Sequence, residues 1–195
     1  MFRALRKWRM EGLDFPMPPA IKRAVILRHV KDIAATNFVE TGTYLGDTPW
    51  FLRRHVSQIH SIEVQRTLAS IARLRFAKYA NIFIHNGDSG FVLAEVCRGL
   101  SGNTLFWLDG HYSGGVTGQG AKQCPIWQEL EQIFHYIKTG AQNAHTRILI
   151  DDLRLFGQAA DYPNKEELVS YAANAFPACK IAEEMDILSI SLRGR

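Results

Sequence analysis

The chain of 195 residues is 47% hydrophobic and 22% charged, with 15 Gly and 7 Pro, the composition of one ordinary globular domain. Its three cysteines, Cys97, Cys124 and Cys179, are odd in number, widely spaced and without a CxxC pair, which speaks against a disulfide framework or zinc ribbon and for a reducing, cytoplasmic setting. The net charge of +4 is uneven, because residues 1–31 carry +6 and the rest −2, so the basic excess belongs to the N-terminal segment and not to the body.

Residues 1–19 read as a basic N-terminal segment ahead of a single domain over 20–195. In the opening MFRALRKWRM, Phe2, Leu5 and Trp8 repeat at helical spacing, so an amphipathic helix is expected, either solvated or docked on the domain. Weak contact of residues 1–10 with an anionic membrane surface and a homodimer contact through the apolar residues are both compatible with it. No stretch approaches the roughly 20 apolar residues that cross a bilayer, and Glu11, Asp14 and Pro16 stand where a secretory signal has an apolar run. With a body that is not basic and no inserted domain, nucleic acid is not an expected partner.

Segment 20–35 places Ile21, Val25, Leu27 or Arg28, and Ile33 on an incomplete helical stripe after Pro18-Pro19. NFVETG (37–42) is a short strand ending on Gly42, and the chain passes through Thr43–Asp47 into a helical TPWFLRRHV. The alternation then repeats: strand 59–64, helix 66–79, strand 82–88, helix 89–98, strand 104–110, helix 125–138, strand 147–152, helix 164–175. Strands joined by crossover-length helices imply a parallel sheet. The end, KIAEEMDILSISL (180–192), holds two β-like runs with no room for a helix, so antiparallel C-terminal strands are expected, with a break near Glu184–Asp186. The expected fold is therefore an α/β, Rossmann-like αβα sandwich with a mostly parallel sheet. Residues 110–122 contain five glycines and read as a linker or a lid, their place between strand and helix favouring the lid.

Ligands of open parallel sheets bind beyond the carboxyl ends of the strands. Those ends carry Glu40-Thr-Gly42, Glu63, Gly87-Asp88-Ser89, Asp109-Gly-His111 and Asp151-Asp152. One acid in such a place is commonly a helix cap, but five converging carboxylates repel one another unless a cation or a hydrogen-bonding ligand satisfies them. The first turn, Gly42-Thr-Tyr-Leu-Gly46-Asp, lacks the second glycine of a dinucleotide fingerprint, which speaks against NAD. Glu63, ending the second strand, suits a ribose diol, so a nucleoside ligand is expected.

The pattern resembles class I S-adenosylmethionine-dependent methyltransferases in FVETGTYLGDT (38–48), IEV (62–64), GDS (87–89) and LDGH (108–111). The resemblance implies S-adenosyl-L-methionine as cofactor, held by Glu40, Gly42, Thr43, Tyr44, Gly46, Glu63, Asp88, Ser89 and Asp109. A narrower resemblance, to metal-dependent O-methyltransferases of the catechol and macrocin type, implies Mg²⁺ or Ca²⁺ at Asp109, Asp151 and Asp152. Hard carboxylate oxygens suit such ions, which lower the pKa of a bound hydroxyl. Asp152 also has the alternative of capping the next helix or pairing with Arg154. Catechol-type enzymes place a lysine where this chain has Tyr112, so His111 is the expected general base, with Asp109 beside it as the second catalytic residue. Tyr112 and Trp107 are pocket or core aromatics. Ser113, Thr117 and Gln119 favour a small hydroxylated acceptor such as a sugar, glycoside or secondary metabolite. The alternatives are a metal-dependent hydrolase or transferase using the acid cluster, and a catalytically silent nucleoside-binding module.

Overall fold

The computed structural model describes residues 16–110, 124–140, 144–158 and 161–193. The expectations that rest on residues 1–10, on His111 and Tyr112, and on Ser113, Thr117 and Gln119 lie outside the described residues. Helix α1 (Pro19–Asp32) precedes β1 (Asn37–Thr41), α2 (Asp47–Leu52), β2 (Gln58–Glu63), α3 (Arg66–Phe76), β3 (Ile82–Asn86) and α4 (Ser89–Arg98). The chain continues through β4 (Thr104–Leu108), α5 (Ile126–Thr139), β5 (His145–Ile150), α6 (Lys165–Ala175), β6 (Lys180–Glu184) and β7 (Ile187–Arg193). No helix among the described residues is long and apolar enough to cross a membrane.

The seven strands form one sheet in the order β3-β2-β1-β4-β5-β7-β6. The first five pair in parallel, and β7 runs antiparallel to both β5 and β6. The expected reversal thus falls on β7, while β6 returns through a two-residue turn. Met185 and Asp186, at φ 48° and 69°, supply the two left-handed positions that a tight hairpin turn requires. Strand order changes direction between β1 and β4, and there the carboxyl ends open a crevice.

Strand alternation divides the core in two. Phe38, Ile59, Leu105, Trp107, Leu149 and Ile187 face α1, α2 and α3, whereas Val39, Ile62, Phe106, Leu108, Ile148 and Ile190 face α4, α5 and α6. Trp107 is thereby a core residue, 2% exposed. All five parallel strands end before the sequence pattern suggested, three of them by two residues: Asp88, Asp109, Asp151 and Asp152 follow the ladders as loop residues, with positive φ at Gly87 and Asp152 turning the backbone away. A last ladder-like bond persists at two of them, from Asp109 N to Thr41 O at 3.3 Å and from Asp151 N to Leu108 O at 3.1 Å.

In α1 the buried stripe is Ile21, Val25, Ile26, His29 and Val30, with Arg28 exposed. The histidine belongs to the inner face because polar partners meet it there. Arg147 Nη1 on β5 donates to His29 Nδ1 at 2.8 Å, which leaves Nε2–H to donate to Glu184 on β6. Arg28 donates to the same carboxylate at 2.5 Å. Burial, followed by Arg147 and Arg28, holds the His29 pKa below its ordinary value against the pull of Glu184, in accord with a neutral ring. Replacing Glu184 by Ala strands a buried ring N–H, at a cost of about 1–3 kcal/mol. The expected result is a cooperative denaturant transition shifted to lower urea, with an unchanged m-value.

Candidate functional site

At the crevice the first turn and the fourth strand nearly touch. Gly42 has φ +87°, and a Cβ there would meet Asp109 O at 2.5 Å, so no side chain is accommodated. The turn continues through Tyr44, itself left-handed at φ 46°, to Gly46 at the start of α2. Glu63 fixes this shape: its Oε2 accepts from Tyr44 N at 2.8 Å and its Oε1 from Gln65 N at 2.9 Å. Arg75 on α3 ties the far side by donating to Leu45 O and, at 3.0 Å, to Asp47 Oδ1. Tyr44 and Leu45 are left on the outer surface, each about half exposed.

Beneath the turn runs a buried polar chain. Thr43 Oγ1 and Ser61 Oγ share a bond of 2.6 Å, and Ser61 Oγ donates to Glu40 Oε1 at 2.5 Å. All three are buried, so Glu40 and Thr43 support the turn from below while Tyr44 forms its outer rim. Burial raises the Glu40 pKa well above the usual carboxylate range, with Asp109 and Glu63 adding to it and Ser61 opposing.

Asp88 Oδ1 accepts from Gly90 N at 2.9 Å and so caps α4. Ser89 Oγ donates to Glu129 Oε1 on α5 at 2.5 Å. Glu129, 2% exposed, was missed in the sequence, although an acid on the apolar face of a helix, between Ile126 and Leu130, is a visible anomaly.

Asp109, Asp151 and Asp152 converge as expected, one oxygen of each lying within 4.8 Å of the others. Their electrostatic partner is a residue that the sequence pattern did not single out. Lys22 Nζ, reaching in from α1, donates to Asp151 Oδ2 and, at 2.9 Å, to Asp152 Oδ1. Arg154 Nη1 also donates to Asp152 Oδ1, at 2.8 Å, and is held in turn by Asp186 in the β6–β7 turn. The pairing of Asp152 with Arg154 is therefore present. Burial opposes the Lys22 charge, but Asp151, Asp109 and Asp152 keep its pKa above that of an ordinary lysine. The Asp151 carboxyl is pushed up to about 7, by burial first and then by Asp109, with Lys22 only partly offsetting both. Its Oδ1 is buried and has no hydrogen-bond partner among the described residues.

A Mg²⁺ or Ca²⁺ ion shared by these three aspartates does not fit beside Lys22 as the site stands. Such an ion needs several carboxylate oxygens, and the ammonium already lies against one oxygen of Asp151 and one of Asp152. A cavity of about 300 Å³ is lined by Cys124, Trp127, Asp161, Tyr162, Asn164 and Glu167. The Tyr162 hydroxyl is pushed up to about 12 by burial, with Cys124, Asp152 and Asp109 contributing, so this cavity is within electrostatic reach of the cluster.

No protein-family model and no curated protein sequence matches the chain. Solved structures do match its fold. An assigned O-methyltransferase of Klebsiella pneumoniae superposes with a TM-score of 0.63 at 16% identity, covering 99% of this chain and 89% of that one. The O-methyltransferase TomG of Streptomyces achromogenes, involved in tomaymycin synthesis and solved with S-adenosylmethionine, gives 0.61 at 17% identity over 98% and 90%. The N-methyltransferase NodS of Bradyrhizobium japonicum gives 0.58 at 15% identity over 90% and 95%. The fold is thus the one shared by these methyltransferases.

The raised pKa of Glu40 has a consequence for stability. Between its ordinary and its elevated value the folded state holds a proton that the unfolded chain releases, so this contribution is complete below the ordinary carboxylate pKa and is lost as pH rises through the elevated folded value. Glu40→Gln keeps an acceptor for Ser61 and removes the titration. Its melting temperature relative to wild type is expected to rise between pH 5 and pH 8 by a few degrees, at about 2–4 °C per kcal/mol for a chain of this size, as read by calorimetry.

Proposed function

We propose that this chain is an S-adenosylmethionine-dependent O-methyltransferase acting on a small hydroxylated molecule such as a sugar, glycoside or secondary metabolite. The observation that carries the reading is the open turn 42–46 at the sheet's switch point, with the Glu63 carboxylate locked beside it by two backbone amides. A carboxylate fixed in this way retains lone pairs for the two hydroxyl hydrogens of a ribose. The match to methyltransferase folds, one solved with the cofactor, supports the same ligand.

S-Adenosylmethionine, when bound, supplies an electrophilic methyl group carried on a sulfonium. In this reading Glu63 holds the ribose, Asp88 and Ser89 flank the adenine, Gly42 and Gly46 let the backbone approach the ligand closely, and Tyr44 covers its methionine part. Glu40 and Thr43 keep the turn in shape, and Asp109 stands between cofactor and acceptor. The chain's remaining work is to hold the acceptor hydroxyl in line and to remove its proton. His111, two residues beyond Asp109, is the proposed base. The acceptor enters beside Tyr162, where the cavity offers both aromatic and polar walls. Small acceptors suit this volume, and nucleic acid is not part of the reading.

Calorimetric titration with S-adenosylmethionine and S-adenosylhomocysteine, with NAD as control, tests the cofactor. Micromolar binding of either compound, without a response to NAD, is the expected outcome, and Glu63→Ala should weaken it at least tenfold. A chain that binds neither compound, or whose affinity is indifferent to Glu63→Ala, overturns the proposed pocket.

A further inference from the structure

We propose that the Lys22 ammonium is the resident cation of the acid cluster, occupying the place that a divalent ion would take between Asp151 and Asp152 and making the site independent of metal. The inference deepens the methyltransferase reading and rests on it for its catalytic meaning, but its geometry is separate from the cofactor turn.

Three observations carry it. First, the ammonium touches the very carboxylates that would ligate an ion: Asp151 Oδ2 and Asp152 Oδ1. Second, Lys22 is delivered by a rigid element. It lies one residue after the buried Ile21 on α1, whose far end is anchored to β5 and β6 through His29, Arg147 and Glu184. With its side chain only 16% exposed and two ammonium hydrogens committed, it is not a solvated surface lysine swinging past the acids. Third, Asp151 is fully buried and, among the described residues, its Oδ1 lacks a hydrogen-bond partner and one Lys22 N–H is uncommitted, so the cluster is built to receive a further polar group. A hydroxyl satisfies both at once, its oxygen accepting from the ammonium and its hydrogen going to Asp151 Oδ1. An ion that expelled Lys22 would instead displace a half-buried ammonium at the expense of its contacts with both acids.

Mn²⁺ and Mg²⁺ are titrated into the full-length protein, with binding read by calorimetry and, for Mn²⁺, by electron paramagnetic resonance. Wild type is expected to bind neither ion more tightly than about 1 mM. Lys22→Met, which keeps the length of the side chain and removes its charge, should gain Mn²⁺ binding at least tenfold tighter, and the added change Asp151→Asn should abolish the gain. Lys22→Gln serves the same purpose if Lys22→Met does not fold. Submillimolar ion binding by wild type that is lost in Asp151→Asn overturns the proposal, as does a folded Lys22 variant with no gain. Titration of the same wild-type sample with S-adenosylhomocysteine in the presence of EDTA separates the two readings. Retained binding with a metal-binding wild type defeats only the lysine, whereas absent binding with the expected ion results defeats only the methyltransferase.

Discussion

The constraint on which this molecule depends is the crowding of negative charge at the carboxyl edge of its sheet. Parallel strands bring their ends into one plane, and here Glu40, Glu63, Asp109, Asp151 and Asp152 all arrive there. Like charges in a partly buried site cannot all ionise without compensation. The structure resolves the problem differently at each acid. Burial raises the pKa of Glu40 and favours its neutral form, Glu63 is supported by two backbone amides, and Asp151 and Asp152 share Lys22, with Arg154 added on Asp152. What stays open among the described residues, the outer face of the turn and the Asp151 oxygen without a hydrogen-bond partner, is where ligand chemistry is to be sought.

The compensation links the site to the packing of a helix far from it in sequence. Helix α1 contributes apolar residues to the core on one face of the sheet, and it presents Lys22 at one end and His29 at the other. The neutral histidine is a relay between Arg147 and Glu184, its tautomer set by the arginine, which can only donate. Glu184 in turn closes the β6–β7 turn, whose Asp186 holds Arg154 against Asp152. The C-terminal hairpin, through Arg154, and helix α1, through Lys22, therefore reach the same aspartate oxygen.

Much of this was legible in the residues. Strand and helix alternation fixed the order of elements, and the break at Glu184–Asp186 proved to be a tight turn because Met185 and Asp186 adopt left-handed conformations. Gly42, Glu63 and the Asp109, Asp151 and Asp152 trio are where their motifs put them, since strand ends in a parallel sheet are brought together by topology alone. Lys22 was not legible. Its pairing spans about 130 residues in sequence, and within α1 it reads as one more cation of a basic segment. His29 was hidden for a similar reason: an imidazole is tolerated on an inner face only when distant partners meet it. Glu129 was the opposite case, a local anomaly that needed no tertiary knowledge to notice.

The identity of the cation matters for what the edge can do. A divalent ion is a mobile ligand whose occupancy depends on its concentration and which polarises an oxygen strongly. An ammonium on a helix is always present once the helix docks, contributes one charge and a directed hydrogen bond, and has its position set by core packing. In the methyltransferase function proposed above, activation of an acceptor hydroxyl then falls more heavily on a base, the role proposed for the histidine two residues beyond Asp109. Loosening α1 withdraws Lys22 from the acids, whereas the turn 42–46 is held by Glu63 and Arg75 through Tyr44, Leu45 and Asp47. The turn and the acid cluster are thereby supported by different parts of one sheet edge, joined where Gly42 meets Asp109.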